Sequence, residues 1–188
     1  MGCDQPLDPF GRVYQHFADR FAANMIDVEG QEVRAILMDR SYRPNEYQEK
    51  VYSDIKQYEL KGGQVVGENT DGRLIIDGTG YPVGGIKMDV YSTWGTENSY
   101  KNGKAIPTPT RYVYSKTDDI VFYNLSATIW NLVYYIVGKT DDASVLIAWI
   151  NHSTPWDVRH GTLTISFSKT EPVNCITRVW NCTKYWSS

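Results

Sequence analysis

Imidazole, hydroxyl and carboxylate groups crowd one short segment, Asn151-His152-Ser153-Thr154-Pro155-Trp156-Asp157-Val158-Arg159-His160. His152 and His160 flank Asp157, and Ser153 lies beside His152, so the segment holds the inventory of a metal site or a nucleophilic triad. Inventory is not geometry. A zinc site wants about four ligands in tetrahedral reach, and a triad needs an oxyanion site and a pocket as well as the three side chains. No Gly-x-Ser-x-Gly elbow occurs. The plainer expectation for this segment is a polar loop around Pro155 and Trp156. The third histidine, His16, sits on a helical stripe far away in sequence and reads as structural or exposed.

Two carboxylate pairs, Asp118-Asp119 and Asp141-Asp142, stand next to strand ends. Oxygen ligands suit calcium, but the alternating spacing of a twelve-residue calcium loop is missing, so both pairs read as turn carboxylates. The string Gly78-Thr79-Gly80-Tyr81-Pro82-Val83-Gly84-Gly85 is neither Gly-x-Gly-x-x-Gly nor a Walker loop. Its glycines are expected to serve tight turns and close backbone approach instead. Cys3, Cys175 and Cys182 make an odd number. Cys175 and Cys182 are placed to close a small loop in an oxidising medium, while free thiols are expected in a cytoplasm. Asn124, Asn151 and Asn181 meet the glycosylation rule, which carries no weight without a secretory signal. No catalytic, cofactor-binding or metal-binding residue is assigned, and the expectation is a non-enzyme without cofactors.

The 188 residues carry a net charge of −3 and no basic run, which argues against a nucleic-acid partner. The first ten residues contain Asp4 and Asp8 and lack the apolar core of a signal peptide. Residues 120–137 approach membrane length, but Asn124, Ser126, Thr128 and Asn131 interrupt them, so no membrane partner is expected. Fourteen Tyr and six Trp suit a β core and also amphipathic contact surfaces.

The elements that would position these groups are mostly strands. Residues 118–151 hold three apolar runs, at 120–125, 129–137 and 144–150, with a turn at Lys139-Thr140-Asp141-Asp142. The middle run is apolar on both faces, as a central strand is. Leu163, Ile165 and Phe167 alternate with polar residues in a half-buried strand. Further strands are expected at 32–39, 74–76, 86–91, 111–115 and 173–179. Val13, Phe17 and Phe21 recur at four-residue steps, predicting a helix within 12–25. A short helix is expected within 47–55, a short extended segment at 57–60, a loop or hairpin tip at 62–72, and a long polar link at 93–110 containing Pro107 and Pro109. These elements make a mainly β protein, an antiparallel β-sandwich or partly closed barrel with a short N-terminal helix and long loops. The organisation expected is an arm (1–9), one β-rich domain (10–180) and a tail (181–188).

Two blocks resemble the signatures of a family of small structural proteins from tailed bacteriophages. In the first, Leu37, Asp39, Ser41, Tyr42, Pro44, Asn45, Ser53 and Asp54 match a strand ending in an aspartate, Ser-Tyr-x-Pro-Asn and a downstream Ser-Asp. In the second, Gly78, Gly80, Tyr81, Gly84 and Gly85 match Gly-x-Gly-Tyr-x-x-Gly-Gly. The region 127–150 adds a weaker likeness. The resemblance covers about residues 10–179. The stretches 61–73, 93–110 and 182–188 exceed the compact form.

The resemblance implies a non-enzymatic virion protein, assembled in the bacterial cytoplasm. It would bind the head as a decoration, cement or minor capsid protein, or else sit in the neck or tail. Its partners would be the major capsid protein, neighbouring virion proteins and further copies of itself. The candidate contact residues are Phe10, Tyr42, Tyr81, Trp94, Tyr100, Trp156, Tyr185 and Trp186, each in or beside a loop or terminus. A carbohydrate-binding module using Trp94, Tyr100 and Trp156 is a further reading. A hydrolase built on His152 and His160 is the weakest.

Overall fold

The middle apolar run occupies the centre of the molecule. In the computed structural model, which describes residues 12–63, 65–70, 74–76, 80–101, 104–117, 119–167 and 175–180, this run lies in β8 (Asp119–Ile136). A three-residue 3-10 turn (Asp141–Ala143) then leads into β9 (Val145–Ser166), which returns antiparallel alongside it. On the other side β8 pairs with β2 (Val33–Met38), from Val33↔Ile136 to Met38↔Asn131. The sheet is completed by β1 (Arg12–Val13) against β9 and β5 (Ile86–Met88) against β2, giving the order β1-β9-β8-β2-β5.

A second sheet has the order β10-β7-β6, from β6 (Val90–Lys101), β7 (Lys104–Ser115) and β10 (Cys175–Trp180). A two-stranded hairpin joins β3 (Val65–Glu68) to β4 (Leu74–Ile76). Every named strand pair is antiparallel. Among the described residues the five-stranded sheet ends at β1 and β5, so the strands do not close into a barrel. The antiparallel, mainly β architecture expected from the sequence is observed, and its layers are consistent with a β-sandwich.

The period of two along β8 sorts its residues into two hydrophobic clusters. Leu132, Tyr134 and Ile136 point to a large core with Phe17, Phe21, Ala35 and Leu37, which also takes in Val90, Val113 and Ile176 from the second sheet. Val133 and Tyr135 point the opposite way, to Tyr14, Ile36, Met38, Tyr42, Tyr52, Ile55 and Leu146. The large cluster therefore glues the two sheets as in a β-sandwich. The small one seats α2 (Tyr52–Ile55) and the loop before it on the outer side of β8.

Helix α1 (Gln15–Ala22) buries Phe17, Ala18, Phe21 and Ala22, the stripe that its four-residue spacing predicts. It ends because Asn24 turns left-handed, at φ 55°. The Met25 amide then bonds to the Arg20 carbonyl at 2.8 Å and the Asn24 amide to the Phe21 carbonyl at 3.2 Å, satisfying the last carbonyls of the helix. Helix α2 is capped from within, since Asp54 Oδ2 accepts the amides of Lys50 at 2.8 Å and Val51 at 3.1 Å.

Several expectations need correction. Residues 93–101 and 104–110 are not a link: they belong to the paired strands β6 and β7, in register from Val90↔Ser115 to Lys101↔Lys104. Pro107 and Pro109 stand opposite Asn98 and Thr96 of β6, and the described pairing of β10 with β7 begins only at Thr110, so neither missing N–H falls within the described β10–β7 ladder. Residues 152–160 are likewise not a loop but part of β9. The helix expected within 47–55 is confined to α2. Part of the segment at 57–60 is a 3-10 turn (Lys56–Tyr58), followed by a Glu59 bridge to Met38.

Candidate functional site

Two tyrosine–carboxylate clusters hold the loops onto the sheet. Glu59, 8% exposed, accepts the hydroxyl of Tyr81 at 2.6 Å, the amide of Gly84 at 2.7 Å and the hydroxyl of Tyr52. The Tyr81 oxygen in turn accepts the Leu37 amide at 3.2 Å. Tyr135 donates to the Gly84 carbonyl at 3.0 Å, and its ring stacks on Tyr52 with centroids 4.8 Å apart. In the second cluster the Tyr14 and Tyr42 hydroxyls meet at 2.6 Å, and Tyr42 donates to Glu49 at 2.7 Å. Burial drives the pKa values of Tyr14, Tyr42, Tyr52 and Tyr81 upward, and that of Tyr135 up to about 12.

Each of the two blocks contributes a tyrosine to these clusters, and Gly78 of the second lies outside the described residues. Tyr42 is the tyrosine of Ser-Tyr-x-Pro-Asn and Tyr81 that of the glycine block, and both are completely buried. Gly80 and Gly85 hold positive φ angles of 76° and 79°. A Cβ on Gly80 would lie far inside contact distance of the Asn124 carbonyl, and one on Gly85 inside that of the Ala35 carbonyl. The glycines thus let a turn lie flat on two strands, as their steric reading predicts.

A third polar anchor joins α1 to the second sheet. Arg111, 5% exposed, donates to the Phe21 carbonyl at 3.0 Å and pairs with Asp27 at 2.9 Å. Its guanidinium lies over the Phe21 ring at 3.9 Å and the Trp94 ring at 5.6 Å. Burial pushes Asp27 up, but the amides of Glu29 and Val28, with Arg111 and Ser92, outweigh it and hold the carboxyl below its ordinary range. Trp94 is 45% exposed and Met25 67%, and Arg111 contacts the Trp94 ring and both neighbours of Met25, Asn24 and Ile26.

The solvent-facing polar site lies where β8 and β9 run out of step. Between Leu125↔Gly161 and Ala127↔Val158, β9 spends Arg159 and His160 against Ser126 alone. His160 adopts φ 46°, its amide donates to Ser126 Oγ at 3.0 Å, and its Nδ1 stands 3.3 Å from the same oxygen. Across the next pair, Thr128 Oγ1 donates to Asp157 Oδ1 at 3.1 Å, and Arg159 holds Asp157 Oδ2 at 3.2 Å. The Arg159 hydrogen bond, then that from Thr128, keeps the Asp157 carboxyl below its ordinary range. Ser126, Ala127, Thr128, Asp157, Val158 and Arg159 line an open cleft of about 200 Å³.

Of the candidate contact residues, the structure describes the side chains of Tyr42, Tyr81, Trp94 and Trp156. Tyr42 and Tyr81 are corrected from contact residues to core, because their hydroxyls are consumed by Glu49, Tyr14, Glu59 and Leu37. Trp94 is half-exposed beside Arg111, while Trp156 is partly buried against the main core. Tyr100 pairs with Ala105 on the β6–β7 hairpin, and its side chain lies outside the described residues. Phe10, Tyr185, Trp186, Asp118, Cys3 and Cys182 lie outside them altogether, as do the side chains of His152, Ser153 and Cys175.

His160 therefore meets Ser126 from the neighbouring strand, and Asp157 meets Thr128 and Arg159. His16, on α1, has its pKa lowered by burial and then by Arg20 and Lys50. Asp141 pairs with Lys56 at 2.7 Å, as a turn carboxylate does. Among the described residues no group of three or more His, Cys, Asp or Glu is placed to hold a metal ion, and no helix is long and apolar enough to cross a membrane. Ser126 and Thr128 escaped the sequence reading. Their only signal is outward alternation against Leu125, Ala127 and Ile129. Comparison with models of protein families, with curated proteins and with solved structures gave no match.

Proposed function

We propose that the chain is a non-enzymatic structural component of a tailed-bacteriophage particle, attached to the head as a decoration, cement or minor capsid protein. One observation carries this reading beyond the sequence resemblance. The two signature blocks fold onto one scaffold, where Tyr42 and Tyr81 tie loops to β2 and β8 through buried hydrogen bonds. Signature residues spent on rigidity suit a protein whose work is to hold a shape against its neighbours.

Trp94 and Met25 supply apolar area that a neighbouring subunit would remove from water, at roughly 25 cal/mol per Å². Repeated copies on a symmetric shell would then multiply modest contacts into firm retention.

The test is imaging and mass spectrometry of native particles with the chain present and deleted. Difference density on the head supports the proposal. Density at the neck or tail moves the protein there, and particles containing neither its mass nor its density reject a virion role.

A further inference from the structure

We infer that the cleft between β8 and β9 around Ser126, Thr128, Asp157 and Arg159 binds a hydroxyl-rich ligand, a single saccharide ring. This stands apart from the assembly reading, since the cleft shares no residue with Trp94 or Met25.

The cleft offers what a sugar needs. Asp157, about half exposed, presents a carboxylate that can accept two vicinal hydroxyls, and Arg159, 81% exposed, donates beside it. Ser126, which accepts the His160 amide, can donate, and Thr128, which donates to Asp157, can accept. Ala127 and Val158 lie between these polar residues along the two strands, with their side chains packed against the main core as the floor under the polar groups. Two residues beyond Thr128 on β8 is Trp130, half-buried with Arg43 over its ring at 5.9 Å.

The geometry is built rather than incidental. His160 holds a left-handed backbone that a non-glycine residue rarely adopts, and this aims its amide at Ser126.

Other ligand classes fit less well. A free anion would meet the Asp157 carboxylate. A divalent cation would find one carboxylate in the lining, where hard cations take six or more oxygens. Glycoside cleavage wants two carboxyl groups flanking the bond, so the cleft is suited to holding a sugar and not to cutting it. At about 200 Å³ it falls below the ~300–1,000 Å³ of sites for drug-sized ligands, which points to one ring.

The test is a titration of the isotopically labelled full chain with methyl glycosides of glucose, galactose, mannose and N-acetylglucosamine, followed by amide chemical shifts. At least one glycoside should give saturable shifts confined to residues 126–128, 130 and 157–160, with a dissociation constant near ~1 mM. Asp157→Asn should weaken that binding about tenfold, the loss of one charge-assisted hydrogen bond. Thr128→Ala should weaken it too, and Trp94→Ala should leave it unchanged. Because Asp157 and Thr128 are exposed, the variants should keep the dispersed spectrum of the parent. No saturable shift with any glycoside up to about ten times that concentration overturns the inference. Shifts that map elsewhere, or tighter binding of inorganic phosphate or calcium at the same amides, overturn it equally.

Discussion

Glu59 and Tyr81 are 22 residues apart in the chain, yet the tyrosine hydroxyl meets the carboxylate at 2.6 Å, out of contact with water. The same carboxylate takes the hydroxyl of Tyr52 and the amide of Gly84, so one side chain fastens α2, the glycine turn and, through Tyr81, β2. Replacing Glu59 with Ala leaves these donors buried and unpaired, at about 1–3 kcal/mol for each that cannot re-pair. We expect Glu59→Ala to lose several kcal/mol in urea unfolding and Tyr81→Phe about 1–2 kcal/mol. A Glu59→Ala variant as stable as the parent would show that the cluster contributes nothing.

Tyr134 presents the opposite case. It is fully buried, and its hydroxyl has no hydrogen-bond partner among the described residues. An unmatched buried hydroxyl is a cost, so Tyr134→Phe should hold stability level or raise it by up to about 1 kcal/mol. A loss of more than about 1 kcal/mol would mean that the hydroxyl has a partner, such as an internal water.

Arg111 is the hinge pin between α1 and the second sheet. Lysine has no planar fork and cannot serve the Phe21 carbonyl, Asp27 and Ser92 together. Arg111→Lys should destabilise by about 1–3 kcal/mol, and Arg111→Ala by more, because it also removes the guanidinium packed on Phe21, while Asp27, half exposed, keeps the amides of Val28 and Glu29. Because the guanidinium lies against Trp94, both variants should also shift the native tryptophan emission. Unchanged emission would place Trp94 elsewhere.

Alkali should unfold the protein through its tyrosines. Burial raises the pKa of Tyr14, Tyr42, Tyr52, Tyr81 and Tyr134, and lifts Tyr135 to about 12. A raised folded value means that the native state keeps protons which the unfolded chain releases near its ordinary value of about 10. The contribution is whole below that pH and is lost as pH rises toward the folded values. Stability should fall by up to about 1.4 kcal/mol per pH unit for each such tyrosine. Tyrosinate absorbance should therefore rise together with loss of circular dichroism. Complete ionisation near pH 10 with the fold intact would contradict the burial.

What could be read in the sequence follows from where each segment finds its partners. Residues 131–136 announce a central strand because both of their faces meet core, and α1 announces itself by one stripe. Residues 111–115 of β7 announce a strand, but the distal part of the β6–β7 hairpin is silent because residues such as Trp94, Thr96, Asn98, Ala105 and Pro107 face water, so polar residues and prolines fit where a buried strand would forbid them. Glu59 is silent for another reason: its donors come from 7, 22 and 25 residues away, and nothing in the surrounding Tyr-Glu-Leu-Lys marks it. Half of the cleft, Asp157 and His160, stands out by residue type. The other half, Ser126 and Thr128, depends on the register between two strands, which local pattern does not encode.

Between Ile129↔Trp156 and Asn131↔Asn151, β8 supplies Trp130 alone while β9 supplies residues 152–155. The surplus is already absorbed there, and Thr154 and Pro155 are exposed. Elsewhere along the central strand, adding one residue would turn core side chains outward. Here four residues of β9 already stand against one of β8. The kink is accordingly an entry port for foreign peptide: an epitope spliced between Thr154 and Pro155 should be displayed on an otherwise undisturbed fold, giving a handle by which the protein can be tracked in place.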